Sequence, residues 1–180
     1  VQKAKSNIDA ATKDADVKTA QTNGEKAINA VEIPASVSKT DAINAINTAL
    51  AAKKGAINGT NLTAEEQSAL VNQAQKLADD AIANINKATT NDAVNTAKEN
   101  GVQAIKNMTI PTVSDVKKNA KAAIDKALNN KTSEINGAKN LDQTTKDNLI
   151  KEATAAATAA KEAIDKATTN NDVATEQTKG

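Results

Sequence analysis

At 180 residues, with 39% hydrophobic residues, a net charge of +1 and no Phe, Tyr, Trp, Cys or His, the chain lacks the side chains on which most site chemistry depends. The missing Cys and His remove disulfides, thiol chemistry, zinc sites and the commonest general base. The basic residues are all lysine and are mixed with carboxylates along the chain, which excludes the basic, aromatic-bearing stripe of a nucleic-acid binder, and no run of 18 apolar residues exists to insert into a membrane.

One motif recurs three times. Asn7-Ile8-Asp9-Ala10-Ala11-Thr12, Asn84-Ile85-Asn86-Lys87-Ala88-Thr89 and Ala163-Ile164-Asp165-Lys166-Ala167-Thr168 are each followed by a short polar break and then a valine, Val17, Val94 or Val173. The isoleucines are 85 − 8 = 77 and 164 − 85 = 79 residues apart, a period that marks one supersecondary unit in tandem. Alanine dominates the apolar content, leaving Ile, Leu, Val and Met108 as the large groups, so each core must be thin.

Residues 1–13 match the segment that precedes Ala88, so the chain opens partway through a helix and reads as a piece of a longer protein. After Asp14, a good N-cap, the small and apolar positions Val17, Ala20, Gly24, Ala27 and Val31 advance by three and four, the seam of a packed helix that Pro34 ends. A first full unit follows. From about Ser38, which has capping-box spacing to Asp41, Ala42, Ala45, Ala49, Ala52 and Ala56 form a stripe beside Ile43, Ile46, Leu50 and Ile57, and Asn58-Gly59 is the stop signal. Thr63 and Glu66 open a helix of about 26 residues through Leu70, Ala74, Leu77, Ala81, Ile85 and Ala88. Asn91 is expected to cap a third, with its seam at Val94, Ala97, Gly101, Ala104 and Met108 and its close at Ile110-Pro111 as at Ile33-Pro34. The second unit repeats the order: Val116, Ala120, Ala123 and Ala127 beside Ile124, Leu128 and Ile135 to Asn136-Gly137; Asp142 as N-cap of a helix through Leu149, Ala153, Ala156, Ala160, Ile164 and Ala167; and Asn170 opening a helix that reaches Gly180. Three amphipathic helices with short connections make a three-helix bundle.

Few residues compete for a chemical role. Gly24 and Gly101 lie within helical seams, where glycine costs about 1 kcal/mol against alanine; either a neighbouring backbone crosses there, which the seam favours, or the helix breaks at Asn23-Gly24 and Asn100-Gly101. The adjacent carboxylates Glu65-Glu66 and Asp79-Asp80 lack further ligands at helical spacing and read as a solvated face. Four Asn-x-Thr matches, at Asn58, Asn61, Asn107 and Asn130, are expected by chance in a chain this rich in Asn and Thr. The residues yield no catalytic, cofactor-binding or metal site, no cofactor and no small-molecule substrate, and the expectation is a non-enzyme.

The order Ala-Ile-Asp/Asn-x-Ala-Thr, a polar break, Asp/Asn-x-Val-x-x-Ala-x-x-x-Gly-x-x-Ala-Ile, then Ile-Pro, then a helix ending Ile-Asn-Gly before Asn-Leu-Thr/Asp resembles the helical repeats of unassigned function in cell-wall-anchored surface adhesins of Gram-positive bacteria, as in the staphylococcal extracellular matrix-binding protein. The resemblance covers the whole chain, and it implies an extracellular location at the cell surface. The expected fold is all-α, with tandem three-helix-bundle repeats in an elongated rod: residues 1–35 form the C-terminal part of one repeat, 36–112 a complete repeat, and 113–180 a second, truncated in its third helix. The expected role is a spacer that projects a distal adhesive domain. The alternative is a binding module for host matrix proteins or for neighbouring repeats in aggregation and biofilm, although Trp, Tyr and Arg, the usual hot-spot residues, are absent. A disordered desiccation-type chain fits the composition but not the regular caps.

Overall fold

A computed structural model of the chain describes residues 1–31 and 35–180, the stretch 35–38 by its backbone alone. Among the described residues the secondary structure is entirely helical: α1 (Gln2–Asp9), α2 (Asp14–Asn29), α3 (Ala35–Asn58), α4 (Ala64–Lys87), α5 (Asn91–Asn107), α6 (Asp115–Gly137), α7 (Gln143–Lys166) and α8 (Asn170–Lys179). α1 and α2 pack as a hairpin, α3, α4 and α5 contact one another pairwise as a closed bundle, and α6 and α7 pack together with α8 across both. The expected Ile33-Pro34 junction and the Ser38 side of the Ser38–Asp41 box lie outside the described positions. The helix itself begins at Ala35, before Ser38.

The first bundle buries Ile46, Leu50 and Ile57 of α3 against Ala74, Ala78, Ala81 and Ile85 of α4 and Val94 and Ile105 of α5, with Met108 closing one end. Each isoleucine taken out of water is worth about 1.5–3 kcal/mol. Opposing them with alanines lets the helix backbones approach closely, as a core without aromatics requires. The second bundle repeats this arrangement with Ile124, Ile164 and Val173 over Ala120, Ala157 and Ala160.

Several expected seam positions shift by one. Ala104 is exposed and Ile105 is fully buried; Ala156 is exposed and Ala157 is buried; Ala52, Ala56 and Ala127 face solvent. The reason is one of size. A stripe advancing by three or four offers two neighbouring positions at each turn, and the inward place goes to the branched side chain, whose burial gains more than that of a methyl group. At Ala156–Ala157, where both candidates are methyl groups, only the phase of the helix decides.

Helix starts follow threonine rather than asparagine. Thr90 and Thr169 are the N-caps of α5 and α8, accepting from the N–H groups of Ala93 at 3.2 Å and Asp172 at 3.1 Å, and Asn91 and Asn170 are the first helical residues. The Thr63–Glu66 capping box forms as expected, and Asp142 accepts from the Thr145 N–H at 2.7 Å. In α2 the cap position is Lys13, which has no side-chain acceptor to offer, and Asp14 is one residue inside. α4 spans 24 residues, ending at Lys87 with Ala88 extended beyond it. The Asn-Gly pairs do mark the ends of α3 and α6, yet no described glycine has positive φ. After α3 the Gly59 N–H still bonds to the Gly55 carbonyl in helical fashion, and Thr60 ends the turn by donating its N–H and its hydroxyl to the Ile57 carbonyl at 3.1 and 2.6 Å.

Candidate functional site

Gly24 and Gly101 lie inside unbroken helices, α2 and α5, so the close-crossing reading holds and the break does not. A Cβ at Gly24 would lie 2.9 Å from the Ala4 Cβ of α1. A Cβ at Gly101 would meet the Ala81 Cβ of α4 and lie 2.7 Å from Ile46 Cδ1 of α3. Gly180 repeats the arrangement against the Ala160 Cβ and, at 3.1 Å, Ile124 Cδ1. The notch between the second and third helix of each unit is thus one alanine facing one glycine, and in both bundles the isoleucine of the first helix fills it.

Lysines hold the ends of this arrangement. Lys39 of α3 donates to the Asn86 carbonyl at 2.9 Å, and Lys53, fourteen residues on, donates to the carbonyls of Lys106 and Met108 at 2.9 and 2.8 Å. The Asn86 and Lys106 carbonyls belong to the last turns of α4 and α5, and Met108 is the C-cap of α5; such terminal acceptors have no intrahelical partner and carry the negative end of the helix dipole. In the second unit Lys117, almost fully buried, plays the part of Lys39, donating to the Asp165 carbonyl at 3.0 Å.

The turn between α3 and α4 docks onto the near end of the second bundle, and here sequence reasoning missed the principal residues. The Ala64 N–H donates to the Thr168 carbonyl at 2.8 Å, and Lys117 Nζ donates to Asn61 Oδ1 at 3.1 Å. Glu65 Oε2 accepts the Asn170 N–H at 2.9 Å, and Glu66 Oε1 accepts the Val116 N–H at 3.3 Å while its Oε2 closes the capping box on the Thr63 N–H at 3.0 Å. The two glutamates therefore cap, from the first repeat, the open N-terminal turns of α8 and α6 in the second. Burial raises the Glu66 carboxyl, but hydrogen bonds from the Thr63 N–H, the Ser114 hydroxyl, the Val116 N–H and the Thr63 hydroxyl outweigh it, so the net direction is down from the ordinary 4.5. Ser114 also caps α6 through the Lys117 N–H at 3.1 Å, and Leu62, Thr63 and Ser114 are buried in the joint. The only hint in the sequence was the capping-box spacing of Thr63 and Glu66, which explains one of the two carboxylate oxygens.

The other carboxylate pair is a solvated face. Asp79 accepts from Gln75 Nε2 at 2.9 Å and Asp80 pairs with Lys76 at 2.9 Å, both on the exposed side of α4. Among the described residues no cluster of three or more carboxylates could hold a metal ion, and no helix is long and apolar enough to cross a membrane.

Fold and joint together define the class: tandem three-helix repeats joined end to end. Residues 38–113 and 116–180 each match the family model described as Domain of Unknown Function (DUF1542). The chain belongs to that family, a repeat domain found in surface proteins of Gram-positive bacteria such as the staphylococcal extracellular matrix-binding protein. No curated protein and no solved structure matches the chain.

Proposed function

We propose that the chain is a non-catalytic spacer, a stretch of stalk that holds an adhesive domain of a bacterial surface protein away from the cell wall. The observation that carries this reading is the joint. A stalk must transmit position along its length, and here the connection between repeats is made by hydrogen bonds between Asn61, Ala64, Glu65 and Glu66 and residues 50 to 105 positions away rather than by a flexible linker. The first bundle is about 36 Å long at 1.5 Å per residue over the 24 residues of α4, so stacking a second on its end gives a particle several times longer than wide. Small-angle scattering combined with an adhesion assay tests the reading. The expected result is an elongated particle whose exposed substitutions leave attachment of the parent protein unchanged. A compact particle would overturn it, as would one exposed substitution that abolishes attachment to a matrix protein without moving the melt.

A further inference from the structure

The two repeats carry different versions of the turn between their first and second helices. After Gly59 the first reads Thr60-Asn61-Leu62-Thr63-Ala64-Glu65-Glu66, and after Gly137 the second reads Ala138-Lys139-Asn140-Leu141-Asp142-Gln143-Thr144-Thr145. Aligned on Leu62 and Leu141, the second turn is one residue longer, has aspartate in place of Thr63 and has threonines in place of both glutamates. Each of these differences falls where the first turn meets the second bundle.

Glu65 and Glu66 reach the Asn170 and Val116 N–H groups at 2.9 and 3.3 Å, and a carboxylate is favoured at a helix N-terminus. Thr144 and Thr145 carry no charge, and their hydroxyls stand two carbons nearer the backbone than a glutamate oxygen. Thr63 is fully buried. Asp142 in that position brings a carboxylate out of water, which costs far more than burying a hydroxyl unless the charge finds partners; in its own turn Asp142 is exposed and takes the Thr145 N–H of α7. The extra residue sets Lys139 beside Asn140, the counterpart of Asn61. Asn61 accepts from Lys117 Nζ at 3.1 Å, and Lys117 is almost fully buried, so a second ammonium there meets a like charge where water screens little.

We propose that the turn is an address: the near end of the second bundle docks onto a turn of the type Asn-Leu-Thr-x-Glu-Glu and rejects one of the type Lys-Asn-Leu-Asp-x-Thr-Thr, so that Thr63, Glu65 and Glu66 determine which repeat can precede this one. Repeats that share a fold are prone to dock out of order or onto the equivalent turn of another copy. Here the wrong turn is refused by the charges it would bury as much as the right one is held by the bonds it makes. The selectivity does not rest on the spacer reading, since it holds for an array of any role.

The test exchanges one turn for the other within the full chain. The sequence has no cysteine, so Gln73→Cys and Lys126→Cys, at exposed positions of α4 and α6, place one spin label on each bundle for distance measurement by pulsed electron paramagnetic resonance. The native turn should give a single narrow distance. Replacing residues 60–66 by the sequence of 138–145 should abolish that narrow peak and leave a broad distribution, with helicity by circular dichroism unchanged. If the exchange itself lowers helicity, the double variant Thr63→Asp/Glu65→Thr takes its place, because aspartate is a good N-cap and Glu65 lies outside the capping box of α4. A narrow peak that survives in the folded variant overturns the proposal, since the near end would then accept either turn. A broad distribution with the native turn overturns it as well, since there would be no docking to select.

Discussion

Gly55 and Gly101 both sit inside helices, and the same substitution at each should move stability in opposite directions. Glycine within a helix costs about 1 kcal/mol against alanine, so Gly→Ala brings that gain wherever there is room for a methyl group. At Gly55 nothing lies within 4 Å of the new Cβ, and Gly55→Ala should stabilise the first bundle by about 0.5–1 kcal/mol. At Gly101 the new Cβ meets the Ala81 Cβ and lies 2.7 Å from Ile46 Cδ1. Ala81 is fixed to its backbone, so α4 and α5 must separate, at a cost of about 1–3 kcal/mol that cancels or exceeds the propensity gain. The net change is a loss of about 0–2 kcal/mol, widening to about 3 kcal/mol or more for Gly101→Val, whose branched side chain brings no such gain. Thermal unfolding followed by circular dichroism resolves this, because 1 kcal/mol in a bundle of this size shifts the melting temperature by about 4–8 °C. Ala81→Gly added to Gly101→Ala should recover part of the loss by moving the methyl group to the other side of the crossing. If Gly101→Ala raised the melting temperature as much as Gly55→Ala, the close crossing would not be the reason for the glycine.

Other expectations concern caps, the joint and the surface. Thr90→Ala and Thr169→Ala should each cost about 1 kcal/mol, whereas Lys13→Thr should stabilise α2 by supplying the missing cap, both readable from melting curves. Because the Glu66 carboxyl lies below its ordinary value in the folded state, its contribution is present above about pH 4.5 and is lost as pH falls through and below that value. A pair of probes placed one on each bundle should show a broader distance distribution in acid, and Glu66→Gln should remove the part of that pH dependence due to Glu66. Ala104→Leu, Lys87→Glu and Asp80→Lys change exposed positions and should stay within about 0.5 kcal/mol in a denaturant titration.

The helical class, the period and the tandem units were legible because they rest on local signals: the three-and-four spacing of small residues, the prolines and the Thr63–Glu66 box. The glycines at 24 and 101 were legible as crossings because a helix-breaking residue kept at the same place in two units needs a packing reason. What local spacing could not convey was phase. Ala104 and Ile105 are both compatible with the seam, and only the demand of α3 for a large partner turns Ile105 inward. Nor could it show contacts between residues far apart in sequence. Glu65 and Glu66 look like any exposed first-turn acids until the second bundle brings the Val116 and Asn170 N–H groups to them. Lys39, Lys53 and Lys117 look like ordinary surface lysines in the sequence, and their role depends on knowing where α4, α5 and α7 end.

The capping of α6 and α8 by Glu65 and Glu66 couples the melting of the two bundles. If the first bundle melts, the second loses acceptors for two helix N-termini, groups that must then turn to water. If the second melts, the Ala64 N–H at the start of α4 loses the Thr168 carbonyl in turn, and the glutamates of the first are hydrated with their Thr63 capping box intact. The support is therefore mutual: whichever bundle melts, the other loses the same joint energy. In a one-dimensional array, where stability is a sum of unit and neighbour energies, that shared term makes neighbouring repeats melt together: disruption entering at either end meets the same joint energy at the first intact joint.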